Sequence, residues 1–187
     1  MSGTALEFPV EGLSDGEVRV RLPADADVRS LVEICQDPAI QRFTTVPDPY
    51  GGGDARHFLD MCAAGVRDGL AVHAVVVDAD HGEILGTVGI RRHATDEGRW
   101  DIGYLVAAPA RGRGVATRAV RLISHFGFVE LGAERIEISV EPANEPSQRV
   151  AERAGFQREG LLRGYQVVKG VRRDMLMYSL LRGELRS

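Results

Sequence analysis

The stretch from Asp101 to Phe126 constrains this chain more than any other. Asp101-Ile102-Gly103-Tyr104-Leu105-Val106 reads as a strand, and Pro109 breaks it. From Gly112 onward Val115, Ala119, Leu122, Ile123 and Phe126 fall at helical spacing. Between them lies Arg111-Gly112-Arg113-Gly114-Val115-Ala116. Its two glycines permit backbone angles closed to other residues and let a ligand approach closely. The helix start leaves backbone N–H groups without internal partners, at the positive end of the helix dipole. A strand, a glycine turn and a long helix in that order make an anion site suited to a phosphate. Arg111, Arg113 and Arg118 add positive charge around it. The P-loop string GxxxxGK[ST] does not occur, and the dinucleotide fingerprint GxGxxG fails at Thr117.

The rest of the chain reads as strands and helices in the order β-α-α-β-β-β-α-β-α-β-β. Residues 1–16 carry three glycines without periodicity and read as a loosely ordered lead-in. Val18, Val20 and Leu22 alternate with arginines as a half-buried strand. Asp25 or Asp27 can cap a helix that runs to about Cys35. Residues 37–53, with Pro38, Pro47, Pro49 and three successive glycines, read as a loop, and Asp54 caps the next helix. Val72–Val77 and Ile84–Ile90 form a hairpin through Asp80-His81-Gly82-Glu83. Ile136–Val140 is a strand, and a short helix opens at Asn144 or Pro146 and ends at Gly155. Phe156–Tyr165 and Arg173–Leu181 close the chain as a hairpin. The expectation is one domain over residues 1–187, with a mixed sheet covered by helices on both faces.

Charge narrows the function classes. Twenty-three basic against 27 acidic residues give a net charge of −4, the wrong balance for a nucleic-acid binder and a suitable one for a cationic amine substrate. Cys35 and Cys62 stand alone in helical segments and read as buried thiols. His57, His73, His81, His93 and His125 show no ligand spacing, so they read as structural or exposed and no metal site is expected. No stretch has the length and apolarity to span a membrane, and the first residues lack the features of a signal peptide. A cytoplasmic location, with no nucleic-acid or membrane partner, is the expectation.

Arg111, Gly114 and Ala116 also satisfy the pattern [RQ]xxGx[GA]. Downstream, Asn144-Glu145-Pro146-Ser147 is followed by Arg153-Ala154-Gly155-Phe156. Together these resemble the two signature motifs of the GNAT superfamily of N-acetyltransferases. Asp101–Tyr104, Ala110–Thr117 and the closing Arg173–Leu180 are similar to its RimJ/RimL-like branch, and the resemblance runs from about Val18 to Leu181. It implies an α/β GNAT-like fold: a twisted mixed sheet of about seven strands, flanked by about four helices. Its two central parallel strands, 101–106 and 135–140, would splay apart.

The resemblance further implies transfer of an acetyl group from acetyl-CoA to a primary amine, by direct attack in a ternary complex. The amine would be a peptide N-terminal α-amine or a small molecule. In such a site the backbone of Leu105 and Val106 holds the pantetheine arm. The N–H groups of Arg111, Gly112, Arg113, Gly114, Val115 and Ala116 hold the pyrophosphate, and Asn144 contacts the pantetheine or the acetyl end. Phe43, Thr44 and Tyr50 would line the amine site, and no metal is needed. Asp101 is the candidate base; many relatives place a longer glutamate on this strand, so Asp101 would act through a water, and otherwise it is a solvent-facing strand residue. Many relatives supply the acid from a tyrosine four residues after Ser147, where this chain has Ala151. Ser147 is the candidate in its place, or else a residue satisfying the helix start; Tyr104 and Tyr165 are weaker candidates. An α-amine has a pKa of ~7.7–8.0 and a lysine side chain ~10.4, so the second needs more help from a base. A homodimer is an allowed assembly. A non-catalytic acetyl-CoA-binding module and a transferase for bulkier acyl-CoA esters are the competing readings.

Overall fold

A computed structural model describes residues 4–185. Eight strands form one sheet: β1 Leu13–Ser14, β2 Val18–Arg21, β3 Ala71–Asp78, β4 Ile84–His93, β5 Asp96–Val106, β6 Arg135–Val140, β7 Gln157–Val168 and β8 Val171–Leu181. Five α-helices accompany them: α1 Val28–Cys35, α2 Pro38–Phe43, α3 Gly52–Arg67, α4 Val115–Val129 and α5 Glu145–Ala154. The expectation of about seven strands and four helices is met in kind, with a two-residue first strand and α2 in addition. The spatial order is β1-β2-β3-β4-β5-β6-β8-β7, and among the described residues only β5 and β6 run parallel.

Each face of the sheet has its own cover. Val72, Ala74 and Val76 of β3 join Ile90, Ile102, Phe126 and Ile136 in a core under α4 and α5. Val75 and Val77 pack with Leu31, Cys35, Tyr50 and Ala55 under α1 and α3. This two-sided burial explains why β3 reads as an almost unbroken apolar run. Burial pushes the Cys35 thiol up to about 11 and that of Cys62 up to about 12, which suits inert packing groups.

Three segments differ from expectation. Pro38 does not break structure; it occupies the first turn of α2, where no N–H is needed. Asp37 caps that helix, accepting from the N–H groups of Ala39 at 2.8 Å and Ile40 at 3.2 Å. Asp54 lies inside α3, and its carboxylate accepts from Gly51 N–H at 2.8 Å. The lead-in is held against the body at Leu6 and Phe8. Leu6 N–H donates to the Val66 carbonyl at 2.8 Å, and the ring of Phe8 meets Phe126 edge-on at 5.1 Å.

The feature that positions the site lies between β5 and β6. Their pairing covers three rungs only: Arg99 with Arg135, Trp100 with Ile136, and Asp101 with Glu137. Beyond Asp101, β5 stays on β4 through Val106, while β6 stays on β8 through Val140. The two central strands therefore splay, as expected. At the last rung Glu137 is buried and accepts from Arg99 Nε at 2.9 Å and Arg135 Nε at 2.7 Å. Arg135 continues to Glu159 on β7, which also accepts from Ser179 Oγ at 2.7 Å. These two donors, Arg135 first, lower the Glu159 carboxyl from 4.5 to about 2.

A depressed carboxylate contributes stability above its unfolded pKa and loses it as pH falls through the folded value. Glu159 should therefore contribute fully above pH ~4.5 and lose its contribution between ~4.5 and ~2. Its side chain is 42% exposed, so screening holds the effect below about 1 kcal/mol. Acid melts of Glu159→Gln should be flatter than wild type in that window. Identical acid limbs would show that the pair contributes nothing.

Candidate active site

The splay opens into a cleft of about 750 Å³ that reaches both faces of the sheet. From the cleft edge at Leu105, β5 leads on to the glycine turn. Val106 leads through a 3-10 turn at Ala108–Ala110 to Gly112 and Gly114, with φ of 78° and 80°. Only glycine adopts this region at little cost, and a Cβ at either position would meet nothing within 4 Å. The backbone is thus both bent and approachable. Among the described residues, no backbone or side-chain acceptor takes the N–H groups of residues 112–116. Gly114 precedes the first turn of α4, so these donors converge at the positive end of a 15-residue helix.

The arginines around this turn are already engaged. Arg111 donates through Nε to the Val106 carbonyl at 3.2 Å and pairs with Asp37 at 3.0 Å. Arg113 lies 3.8 Å from Asp78, and Arg118 pairs with Asp15 at 2.8 Å. The Arg111 guanidinium, with the two capping N–H groups of α2, holds the Asp37 carboxyl below the usual carboxylate range. What the turn offers an anion is therefore a set of backbone N–H groups, with the arginines close by.

The two expected backbone contacts for a pantetheine differ. Ala107 N–H donates to the Leu85 carbonyl, and the register pairs Thr87 with Leu105. The alternation of an antiparallel ladder then turns Leu105's backbone groups onto β4, and those of Tyr104 and Val106 toward the opening. Val106 N–H faces the splay, whereas Leu105 contributes its side chain and its place in the ladder.

On the α5 side, Asn144 caps the helix with its side-chain oxygen 3.3 Å from Ser147 N–H, and its amide NH2 makes no hydrogen bond among the described residues. Ser147 Oγ lies 2.8 Å from the Tyr104 hydroxyl, which also lies 3.1 Å from the Ser147 carbonyl oxygen. The serine expected as acid and the tyrosine ranked behind it thus form one hydrogen-bonded pair. Burial raises the Tyr104 phenol to about 12, so it stays protonated as a donor. Tyr165 lines the cleft from β7 and is exposed.

On the α3 side, Asp101 lines the cleft floor, and both its oxygens lie in the fork of Arg91, at 3.0 and 3.2 Å. This engagement moves it away from the expected role of water-bridged base. Phe43, Thr44 and Tyr50 all line the cleft. Phe43 lies under the guanidinium of Arg42 at 4.8 Å. The Thr44 hydroxyl donates to the Ile40 carbonyl at 2.7 Å and finishes α2. Tyr50 is buried in the α1–α3 core, so it shapes the wall more than it offers a polar contact. One lining residue expected to be structural is His73 of β3, whose ring stands in the cleft wall.

A profile described as "Acetyltransferase (GNAT) domain" matches residues 17–157. The chain belongs to the GNAT acetyltransferase family. It is 34% identical over 160 residues to the uncharacterised N-acetyltransferase p20 of Bacillus licheniformis, covering 86% of this chain and 89% of that protein. Among solved structures, Mycobacterium smegmatis RimJ in complex with CoA-disulfide superposes with a TM-score of 0.82 at 26% identity, over 91% of this chain and 84% of that one. The ribosomal-protein-S5-alanine acetyltransferase of Vibrio fischeri has a TM-score of 0.77 at 21% identity, over 99% and 100% of the two chains. These neighbours match the RimJ/RimL-like resemblance carried by the motifs.

Proposed function

We propose that this GNAT protein transfers an acetyl group from acetyl-CoA to a primary amine. The observation that carries the reading is the order of groups along one stretch of chain: the open angle between β5 and β6, then Val106 N–H, then N–H groups at residues 112–116 that have no acceptor among the described residues. The first fits a thioester reached from both faces, the second a pantetheine amide, and the third a pyrophosphate. Bound acetyl-CoA would supply the activated acetyl group. Asn144, whose amide NH2 makes no hydrogen bond among the described residues, would hold the same arm.

The chain's residues divide the proton work by face. Tyr104 and Ser147 stand on the α5 side, where a leaving sulfur would sit, and their shared hydrogen bond can pass a proton to it. Phe43, Thr44 and the α3 side border the space for the amine. The acceptor class is a peptide N-terminal α-amine or a small-molecule amine. The V. fischeri neighbour, by its name, acts on the alanine of a ribosomal protein, which favours the peptide α-amine. Such an amine is also partly neutral near pH 7 and needs the least deprotonation.

Calorimetry with acetyl-CoA, followed by thiol release over a panel of peptides and amines, tests this reading. No binding sinks it; tight binding without turnover on any amine would favour the non-catalytic module. Ser147→Ala and Tyr104→Phe should each lower kcat about 100-fold, near the low end for loss of a positioned acid. The double variant should fall well short of the product, because the two hydroxyls act as one unit. Multiplicative losses would show that they act separately.

A further inference from the structure

We propose that His73 is the general base that takes the acceptor amine's proton, across a strip of the sheet cleared by Gly89 and Gly103; this rests on the acetyltransferase reading above. The argument begins with register. His73 pairs with Gly89, and Gly89 with Gly103, so the three share one row on the α3 face. A Cβ on Gly89 would lie 2.2 Å from His73 Nδ1 and 3.0 Å from Cε1, so the imidazole lies flat over that glycine. A Cβ on Gly103 would meet nothing within 4 Å. Neighbouring strands are ~4.8 Å apart, so the ring stands about one strand from β5, with open space between it and the splay. That gap fits an amine or one bridging water.

The ring is held but its nitrogens are not spoken for. Phe58 of α3 packs against it at 6.4 Å between ring centres, and neither nitrogen has a hydrogen-bond partner among the described residues. The charged groups facing this part of the cleft are Arg91 and His93 of β4, Asp101 of β5, Glu137 of β6, and Asp54 and His57 of α3. Burial first, and then the charge of Arg91, lower the imidazole below its ordinary 6.5, while Asp101 pulls it back up. His73 is thus neutral at pH 7 and able to accept a proton. Asp101 gains a role consistent with its engagement by Arg91: its charge steadies the imidazolium that forms.

The proton balance closes across the two faces. The ammonium gives one proton to His73, and its nitrogen lone pair forms the new bond to the thioester carbonyl carbon. The C–S bond breaks and sulfur takes a proton from the Tyr104–Ser147 pair. The nitrogen's second proton restores that pair, and the first leaves from His73 to solvent.

The test is the pH dependence of kcat for wild type and His73→Gln, on a peptide α-amine and on a lysine side chain. Wild-type kcat should rise through a group titrating below pH 6.5 and level off by neutrality. In His73→Gln that limb should vanish and kcat at pH 7 should drop about 100-fold, the lower range for a lost general base, with unchanged acetyl-CoA affinity. Gly89→Ala keeps the imidazole but displaces it from the strip, and should reproduce most of the loss. It carries the test if His73→Gln fails to fold. An active His73→Gln enzyme that keeps more than about a third of kcat and the same limb overturns this inference alone. A wild-type protein that turns over no amine overturns the acetyltransferase reading, and this inference with it.

Discussion

Gly114→Asp should bind acetyl-CoA about 100-fold more weakly than wild type while keeping its fold. The position takes φ of 80°, which aspartate tolerates better than most residues, and the added Cβ meets nothing nearby. The cost to folding is therefore ~1 kcal/mol, partly offset by a negative charge beside the start of α4. The same carboxylate would sit among the N–H groups of residues 112–116 that have no acceptor of their own. A pyrophosphate would then meet a like charge and lose donors, each worth ~1.5–3 kcal/mol to a charged group. Losing ~3 kcal/mol corresponds to roughly 100-fold in Kd. Calorimetry measures the affinity and a thermal melt checks the fold. Unchanged affinity in the Gly114→Asp variant would remove the phosphate site from this turn. Arg111→Ala should cost less, because its guanidinium is already held by Asp37 and the Val106 carbonyl.

How legible this site was depends on whether its signal is local. The turn at 111–116 and the cap at Asn144 are short-range features: glycine at positive φ, a helix start, a side chain accepting from the N–H three residues on. Sequence spacing reports such features directly. The splay was legible only through the family resemblance, since nothing in residues 101–106 or 135–140 says where their pairing stops. His73 was missed because its meaning lies in register. A lone histidine in an apolar run looks like a packed core residue until Gly89 and Gly103 are known to lie beside it. The Tyr104–Ser147 pair spans 43 residues and needed the fold in the same way. Helix α2 was hidden for a different reason: Pro38 is a breaker inside a helix and a starter at its first turn, and only the cap by Asp37 separates the two cases.

Glu137→Ala should destabilise the protein by about 3 kcal/mol, the lower end for removing one member of a buried ion pair. The Glu137 side chain is 8% exposed, and its two guanidinium partners are 29% exposed each. Removing the carboxylate from the last rung leaves Arg99 facing Arg135 across the first rung of the parallel ladder, with Arg135 still tied to Glu159 and Arg99 left without a salt-bridge partner among the described residues. In a protein of this size ~3 kcal/mol corresponds to a Tm lower by about 10 °C. The loss should come mainly from the stranded charges, not from the missing volume. Arg99→Met in the Glu137→Ala background should therefore restore part of the Tm, whereas a cavity alone would not respond to it. A single variant melting within ~2 °C of wild type would show that this carboxylate does not hold the rung. The rung also sets where the cleft begins, because β5 and β6 part immediately beyond Asp101 and Glu137. If the charges fix that point, Glu137→Ala should bind acetyl-CoA more weakly even at temperatures where it is fully folded, and the Arg99→Met partner change should recover affinity together with stability.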